Sequence, residues 1–429
     1  MKLSVKNIGK IAEAEIEISG ITVIAGENNT GKSTMGKALY AVFNGFYRIK
    51  DQIFRERVRS ISRYLSQMYA DSFSILFERD DLDEIAGELI KNAEEYSDLE
   101  KLKTDILSRL QRNGKEEFQP DSKSVQEYAV RVQEVLRVTD EALLKSILKR
   151  RINAEFSGQA CGIYGDGRSE ITLNIQKQEI SVTLYDDEIT EIRISEGRIR
   201  EMGLNTEAIY MDDPFILDET RGIYYSLMRS MREMDHRNDL CQKLHLRSVH
   251  QNLADEVVVK EKLETIYQKL SAVCDGDVAR GSGSRMEYRE KGRDKGLDVR
   301  NLSTGLKTFV ILKMLLVNGE IGQNGTLILD EPEIHLHPEW QLLFAELIVL
   351  IQKEFGVHVL LNTHSPYFLN AIEVYSKKYG VEEQCRYYLS DLNEEGDACL
   401  KDVTGDTEQI YRKLAQPLQA LENEEAVLQ

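Results

Sequence analysis

The sequence predicts an α/β fold in which a mixed N-terminal β lobe joins a mainly parallel sheet with flanking helices, the whole interrupted by helical insertions. Three observations predict it. The last third alternates amphipathic helical runs with apolar strand runs, in the order LKTFVILKMLLVNG, TLILDEPE, PEWQLLFAELIVLIQKEFG, VHVLLNTHS. A parallel core requires that order, because helices cover both faces of its sheet. The loop GENNTGKS at 26–33 sits between a strand run and a helical run. Residues 2–24 and the run ITLNIQKQEISVTLYDDEITEIRI carry the period-2 alternation of half-exposed strands.

Taken in order, residues 2–24 read as LSVKNIG, AEAEIEI and ITVIAG, with Gly9 and Gly20 marking turns. From Met35 to about Arg151 apolar residues recur at three and four positions, which predicts a helical block. No heptad is sustained through it, so at a rise of about 1.5 Å per residue it makes no long coiled-coil arm. Strands resume at ITLNIQKQEISVTLYDDEITEIRI, and AIYMDD, closed by Pro214, reads as another. A second helical segment is expected over 218–274, then a glycine-rich turn in GDVARGSGS and a hairpin from RMEYREK to LDVRN. The tail reads as one or two strands, CRYYLSDL and ACLKDVTG, and a helix, TEQIYRKLAQPLQALENEEA. The expected division is a discontinuous head of 1–44 and 151–429, a helical insertion at 45–150, and the 218–274 segment within the head.

Composition narrows the function classes. Of 429 residues, 41% are apolar and 30% charged, and no run approaches the roughly 20 apolar residues that span a bilayer. A membrane-spanning transporter is excluded. The N-terminus alternates where a signal peptide needs an unbroken apolar region, and Cys161, Cys241, Cys274, Cys385 and Cys399 form no C-x-x-C pair. These features predict a protein of the reducing cytoplasm, without a disulfide framework or a zinc ligand set. The net charge of −18 repels nucleic acid on average. Any such contact needs a local patch, for which Arg55, Arg57, Arg59 and Arg63, or Lys149, Arg150 and Arg151, are available, although such runs also read as solvated helix faces.

Four motifs carry chemistry. The stretch from Gly26 through Asn28, Asn29, Thr30 and Gly31 to Lys32, Ser33 and Thr34 satisfies G-x-x-x-x-G-K-[ST] in the required strand–loop–helix setting. Its glycines let backbone N–H groups and a helix N-terminus face a phosphate chain, Lys32 reaches the β- and γ-phosphates, and the Ser33 hydroxyl binds Mg²⁺. The strand TLILD delivers Asp330 to a sheet edge, where it can hold the water shell of Mg²⁺, and Glu331 beside it can polarise an attacking water. Alone, that pair would equally cap the next helix. The turn Asn301-Leu302-Ser303-Thr304-Gly305-Leu306-Lys307 precedes a helix; it reads as an N-cap or, by the same physics, as an anion site for a γ-phosphate. His364, in NTHSP, closes a core strand at the edge that holds Asp330.

In this order and combination the motifs resemble an ABC-type ATPase head. More narrowly, LILDEPEIHLHPEWQ with LLNTHSPYFLNAI is similar to ATPases of the overcoming-lysogenization-defect (OLD) family and the related RecF and SMC-like group. The resemblance covers 1–44 and about 151–375. It implies ATP and Mg²⁺ as ligands, and a homodimer in which ATP on Lys32 and Ser33 of one copy is covered by Ser303 and Gly305 of the other. Glu331 is then the catalytic base and His364 the switch histidine. The family's glutamine loop, which senses Mg²⁺ and water, has Gln159 in FSGQACG as its candidate, and an ordinary loop glutamine fits the same residues. Thr304 and Lys307 depart from the transporter signature LSGGQ. His335 and His337, with Glu331 and Glu333, suggest a metal set, but the family uses His-Leu-His-Pro as a loop facing the partner subunit. OLD proteins carry a C-terminal Toprim nuclease, for which the 58 residues after Ala371 are too few. The chain in this respect resembles the Septu, retron-associated and PARIS-type ATPases of anti-phage systems, which implies a sensor or regulator acting with a separate effector, a nuclease or toxin. The alternatives are a RecF or SMC-like ATP-gated DNA clamp and a scaffold that binds nucleotide without turnover.

Overall fold

In the computed structural model, which describes residues 1–70, 79–113, 122–162, 167–175, 177–195, 204–219, 235–245, 263–281 and 286–428, the N-terminal runs become β1 (Lys2–Ile8), β2 (Ile11–Glu17) and β3 (Ile21–Gly26). The next strands are β4 (Arg168–Ile175), β5 (Gln178–Tyr185), β6 (Glu188–Ile194) and β7 (Ala208–Met211). A small separate sheet holds β8 (Asp277–Arg280), β9 (Met286–Arg289) and β10 (Leu297–Asp298). The chain ends with β11 (Thr326–Asp330), β12 (His358–Thr363), β13 (Arg386–Leu392) and β14 (Ala398–Asp402).

Eleven of these strands form one sheet in the order β6-β5-β4-β1-β2-β14-β13-β3-β12-β11-β7. From β6 to β2 every pairing is antiparallel, and from β13 to β7 every pairing is parallel. β14 joins the halves, parallel to β2 and antiparallel to β13. Burial follows that division. β1 buries Leu3, Val5 and Ile8 and leaves the residues between them exposed or half-buried, whereas all six residues of β3 and all five of β11 are buried, as expected where helices cover both faces. β12 and β13 lie on opposite sides of β3. The connections therefore diverge at the carboxyl end of β3, the place where open α/β sheets form their ligand crevice.

Two units divide the chain. The first is Met1–Gly45, Leu148–Glu196 and Thr206–Gln429, and it contains the large sheet. Its helices include Lys32–Phe46, Thr304–Val317, Pro338–Phe355, Pro366–Tyr379 and Glu408–Leu428. Proline at the first position of Pro338–Phe355 and Pro366–Tyr379, with left-handed Gly356 and Gly380 behind them, sets where these two begin and end. The second unit is Phe46–Ile147 with Gly197–Asn205. Helices Ile49–Ala70, Arg79–Lys91, Leu99–Asn113 and Ser122–Arg137 pack there around Ile61, Leu65, Leu102, Ile106, Leu110 and Val132.

Two expectations need adjustment. Asp277–Arg280 was expected within a turn but forms β8; the glycines flank the strand, and a Cβ on Gly276 would stand 2.5 Å from the Arg289 carbonyl oxygen. Close backbone approach, not chain reversal, explains that glycine. The helical segment expected at 218–274 falls mostly outside the described residues; within it His236–Lys243 and 263–270 are helical.

Candidate functional site

Parallel register aligns the strand ends. Asp330 pairs with Asn362, Thr363 with Ala25, and Leu329 with Met211, so β7, β11, β12 and β3 finish along one edge. The 26–34 loop leaves that edge from Gly26. Asn29 and Gly31 have positive φ, 65° and 86°, and a Cβ on Gly26 would stand 2.1 Å from the Ser390 carbonyl oxygen and one on Gly31 2.8 Å from Ile11 Cγ1. Both glycines are required by close packing. Thr30 Oγ1 donates to the Glu27 carbonyl at 2.8 Å, and Ser390 Oγ donates to the Thr30 carbonyl, bracing the loop from β13. Asn28, Asn29 and Ser33 are exposed and Thr34 is half-buried at the opening of the helix.

Lys32 is 4% exposed, and its Nζ donates to the Gly26 carbonyl at 3.1 Å and the Glu27 carbonyl at 2.6 Å. It stands 3.6 Å from Glu331 Oε1. Burial pulls its pKa down, opposed by the Glu331 and Asp330 carboxylates. His364 Nδ1 lies 3.2 Å from the same Glu331 oxygen. That imidazole, with Lys32 behind it, holds the Glu331 carboxyl below its ordinary range against the effect of burial, while Glu331 raises His364. Glu331 also takes φ 49°, a conformation costing a non-glycine residue about 1–3 kcal/mol, which the surrounding contacts must hold in place. Its N–H donates to the Asn362 carbonyl at 3.0 Å, which fixes the turn. Asp330 accepts from Asn362 Nδ2 through Oδ1 and from Tyr210 Oη through Oδ2, each at 2.9 Å. Glu333 is fully buried, accepts from Thr363 Oγ1, and has its pKa raised by that burial.

The remaining sequence candidates divide. Ser303 caps its helix, its Oγ accepting from the Leu306 N–H at 3.4 Å, and is exposed. Gly305 is buried, and a Cβ there would stand 3.0 Å from the His335 carbonyl oxygen and 3.2 Å from the Trp340 ring. Lys307 is buried and holds Asp218 at 2.6 and 2.8 Å and the Arg300 carbonyl at 3.2 Å, beneath the Phe215 ring. This pairing fastens the Ser303 turn to Pro214–Glu219. Gln159 is exposed in the turn after Asp140–Phe156, and no hydrogen bond of its side chain reaches the loop among the described residues. Its neighbour Ala160 accepts from the Gly9 N–H, and Gly9 faces Thr34. His335 sits edge-on to Phe215, and His337 precedes Pro338. Among the described residues no three His, Cys, Asp or Glu side chains cluster as a metal set.

Sequence reasoning missed Tyr210 and Ser390, and gave Asn362 and Thr363 no role. Only the strand order brings them to the edge. AIYMDD identified a strand but not its place beside β11, and Ser390 lies in a tail whose pairing with β3 has no motif.

The residues fit a Mg²⁺–triphosphate. A buried ammonium held by loop carbonyls and one carboxylate can exchange them for phosphate oxygens. Asn362 Oδ1 and Glu333 Oε2 are buried at the edge without hydrogen-bond partners among the described residues, and hydroxyl and carboxylate oxygens such as those of Ser33 and Asp330 suit Mg²⁺.

Comparison with known proteins settles the family. Residues 21–370 match the family model described as "AAA domain, putative AbiEii toxin, Type IV TA system". The chain belongs to this AAA-domain family. The OLD nuclease of Thermus scotoductus is 31% identical over 85 residues, which are 20% of this chain and 16% of that protein's length. Among solved structures, the SMC head domain from Thermotoga maritima aligns over 94% of this chain and 98% of its own at 13% identity and TM-score 0.37. The Smc head bound to the C-winged helix domain of ScpA aligns over 95% and 98%, at 10% identity and TM-score 0.43. A third, the Smc head with an extended coiled coil bound to the ScpA C-terminal domain from Pyrococcus furiosus, covers 99% and 98% at 12% identity and TM-score 0.40. Those superpositions are loose, so the α/β architecture of this AAA-domain chain rests on its own strand order. No described helix is long and apolar enough to cross a membrane.

Proposed function

We propose that this chain is an ATP-hydrolysing dimeric switch. The observation that carries the reading is the convergence of Lys32, Asp330, Glu331 and His364 on one edge, with Glu331 Oε1 within 3.6 Å of Lys32 Nζ and 3.2 Å of His364 Nδ1. The backbone of Gly26–Gly31 receives the phosphate chain and Lys32 neutralises it. Ser33 and Asp330 hold Mg²⁺, which when bound supplies charge neutralisation on the β- and γ-phosphates. Glu331, kept ionised by the His364 imidazole and the Lys32 ammonium beside it, orients and deprotonates the attacking water, and His364 contacts the γ-phosphate as charge develops. Ser303 and Gly305 of a second copy close the site. ATP then links two copies and its hydrolysis releases them. Gln159 remains the candidate water sensor through the Gly9–Thr34 neighbourhood.

The finer role we propose is a cytoplasmic regulatory ATPase of an anti-phage system that works with a separate effector; the toxin–antitoxin wording of the family's description supports a two-component setting. A second reading, an ATP-gated nucleic-acid clamp, is favoured by one observation. Arg55, Arg59 and Arg63 lie exposed along helix Ile49–Ala70 at four-residue spacing, while Arg57 turns away to Asp140. Steep loss of duplex binding with salt, weakened by charge reversal at these three, would favour the clamp. ATP turnover tests the switch. Glu331→Gln lowers it at least about 100-fold and retains nucleotide, whereas Lys32→Ala loses both. Turnover unchanged in Glu331→Gln overturns the assignment.

A further inference from the structure

The Tyr210 hydroxyl ties the side chain of Asp330 to β7, and it is held in place from three directions. The ring is buried, and its hydroxyl donates to Asp330 Oδ2 at 2.9 Å. On one face the His236 ring stacks at 4.3 Å and 23°. His236 itself cannot turn. Its Nδ1 lies 2.6 Å from Glu155 Oε2, its backbone N–H donates to Glu155 Oε1 at 2.7 Å, and its Nε2 is 3.1 Å from Asp212 Oδ2. Arg237 secures Asp212 in turn at 2.8 and 2.9 Å. Above the hydroxyl lies Gly36 of the helix that follows the phosphate loop. A Cβ on Gly36 would stand 3.0 Å from Tyr210 Oη and 3.1 Å from Ile328 Cγ2. Gly36 has no positive φ to explain it, so this contact is its reason for lacking a side chain.

We infer that Tyr210, clamped by His236 and seated under Gly36, is a positioning residue that fixes the Asp330 carboxylate for Mg²⁺. The inference rests on the proposed ATP site. Each carboxylate oxygen has about two acceptor positions. Tyr210 takes one on Oδ2 and Asn362 one on Oδ1, so the carboxylate is held from both flanking strands with one acceptor position on each oxygen left for the metal's water shell. An aromatic hydroxyl suits this task because its ring has no reach to spare: with the face fixed by His236, the Oη position is fixed too. Loss of such a supporting hydrogen bond typically lowers metal affinity about 10–100-fold. A tyrosine that merely filled the core would have no such effect when its hydroxyl alone was removed.

The test is binding of a fluorescent, non-hydrolysable ATP analogue to the full chain, titrated with Mg²⁺ and repeated in chelator. Tyr210→Phe keeps the ring. It is expected to raise the half-saturating Mg²⁺ concentration about tenfold and to leave affinity in chelator unchanged. Gly36→Ala, which pushes on the hydroxyl, shifts the Mg²⁺ dependence in the same direction. Lys32→Ala loses the analogue under both conditions. Wild-type Mg²⁺ dependence in Tyr210→Phe, or equal losses with and without Mg²⁺, overturns the positioning role. Undiminished binding by Lys32→Ala overturns the nucleotide site itself, so the two failures are distinguishable.

Discussion

The helical unit and the strand-end edge solve burial in opposite ways. Around Ile61, Leu102 and Ile106 the helical core is aliphatic, and its buried polar side chains, Ser62 and Gln133, are satisfied by backbone carbonyls of Leu82, Tyr96 and Ser97. At the strand ends Lys32, Glu155, His236, Asp330, Glu333, Asn362 and Thr363 are all buried, and most are bonded to one another's side chains. Backbone-satisfied polar groups are compatible with packing alone. Networks of buried charges cost desolvation that aliphatic residues would not incur; they recur at Lys243, Lys307 and Glu346, and the one at the strand ends differs in adjoining the phosphate loop through Lys32 and Glu331.

Perturbing each region should separate them. The largest effect is expected at the edge: Lys32→Ala removes a buried cation and lowers affinity for ATP at least about 100-fold, about 2.7 kcal/mol or more, as read by calorimetry. Ile106→Ala, in the helical core, lowers stability by about 2–5 kcal/mol in denaturant titration of that unit. A smaller, pH-dependent effect comes from His236. Burial alone would lower its pKa, but Asp212 and Glu155 outweigh burial and raise it from 6.5 to about 9. Because the folded value lies above the unfolded one, the contribution is full below pH 6.5 and disappears as pH rises through 9. Melting temperature should therefore fall across that window, and His236→Asn should flatten the fall. The smallest effect belongs to the exposed Arg59–Glu56 pair: Arg59→Ala changes stability by less than about 0.5 kcal/mol, and a larger loss would blur the contrast between the regions.

The same contrast explains what the sequence made legible. Continuous apolar runs mark strands buried on both faces and 3.6-residue spacing marks amphipathic helices, so TLILD, VHVLL and the helices between them were readable, and the phosphate loop carried its own spacing. Partners chosen by strand order leave no such trace. Tyr210 meets Asp330 only because β7 closes the parallel side of the sheet, and Ser390 meets Thr30 only because β13 returns beside β3. Lys307 looked like a departure in a signature turn; it is the buried partner of Asp218, a pairing separated by 89 positions that no local pattern encodes.

The most direct test of the switch is molar mass in solution by light scattering, with and without ATP and Mg²⁺. The account predicts that Glu331→Gln with ATP reaches twice the 49.1 kDa of the chain, and that Lys32→Ala and Ser303→Arg remain at the single-chain mass under the same conditions. One mass for all three variants, unaltered by nucleotide, would contradict it.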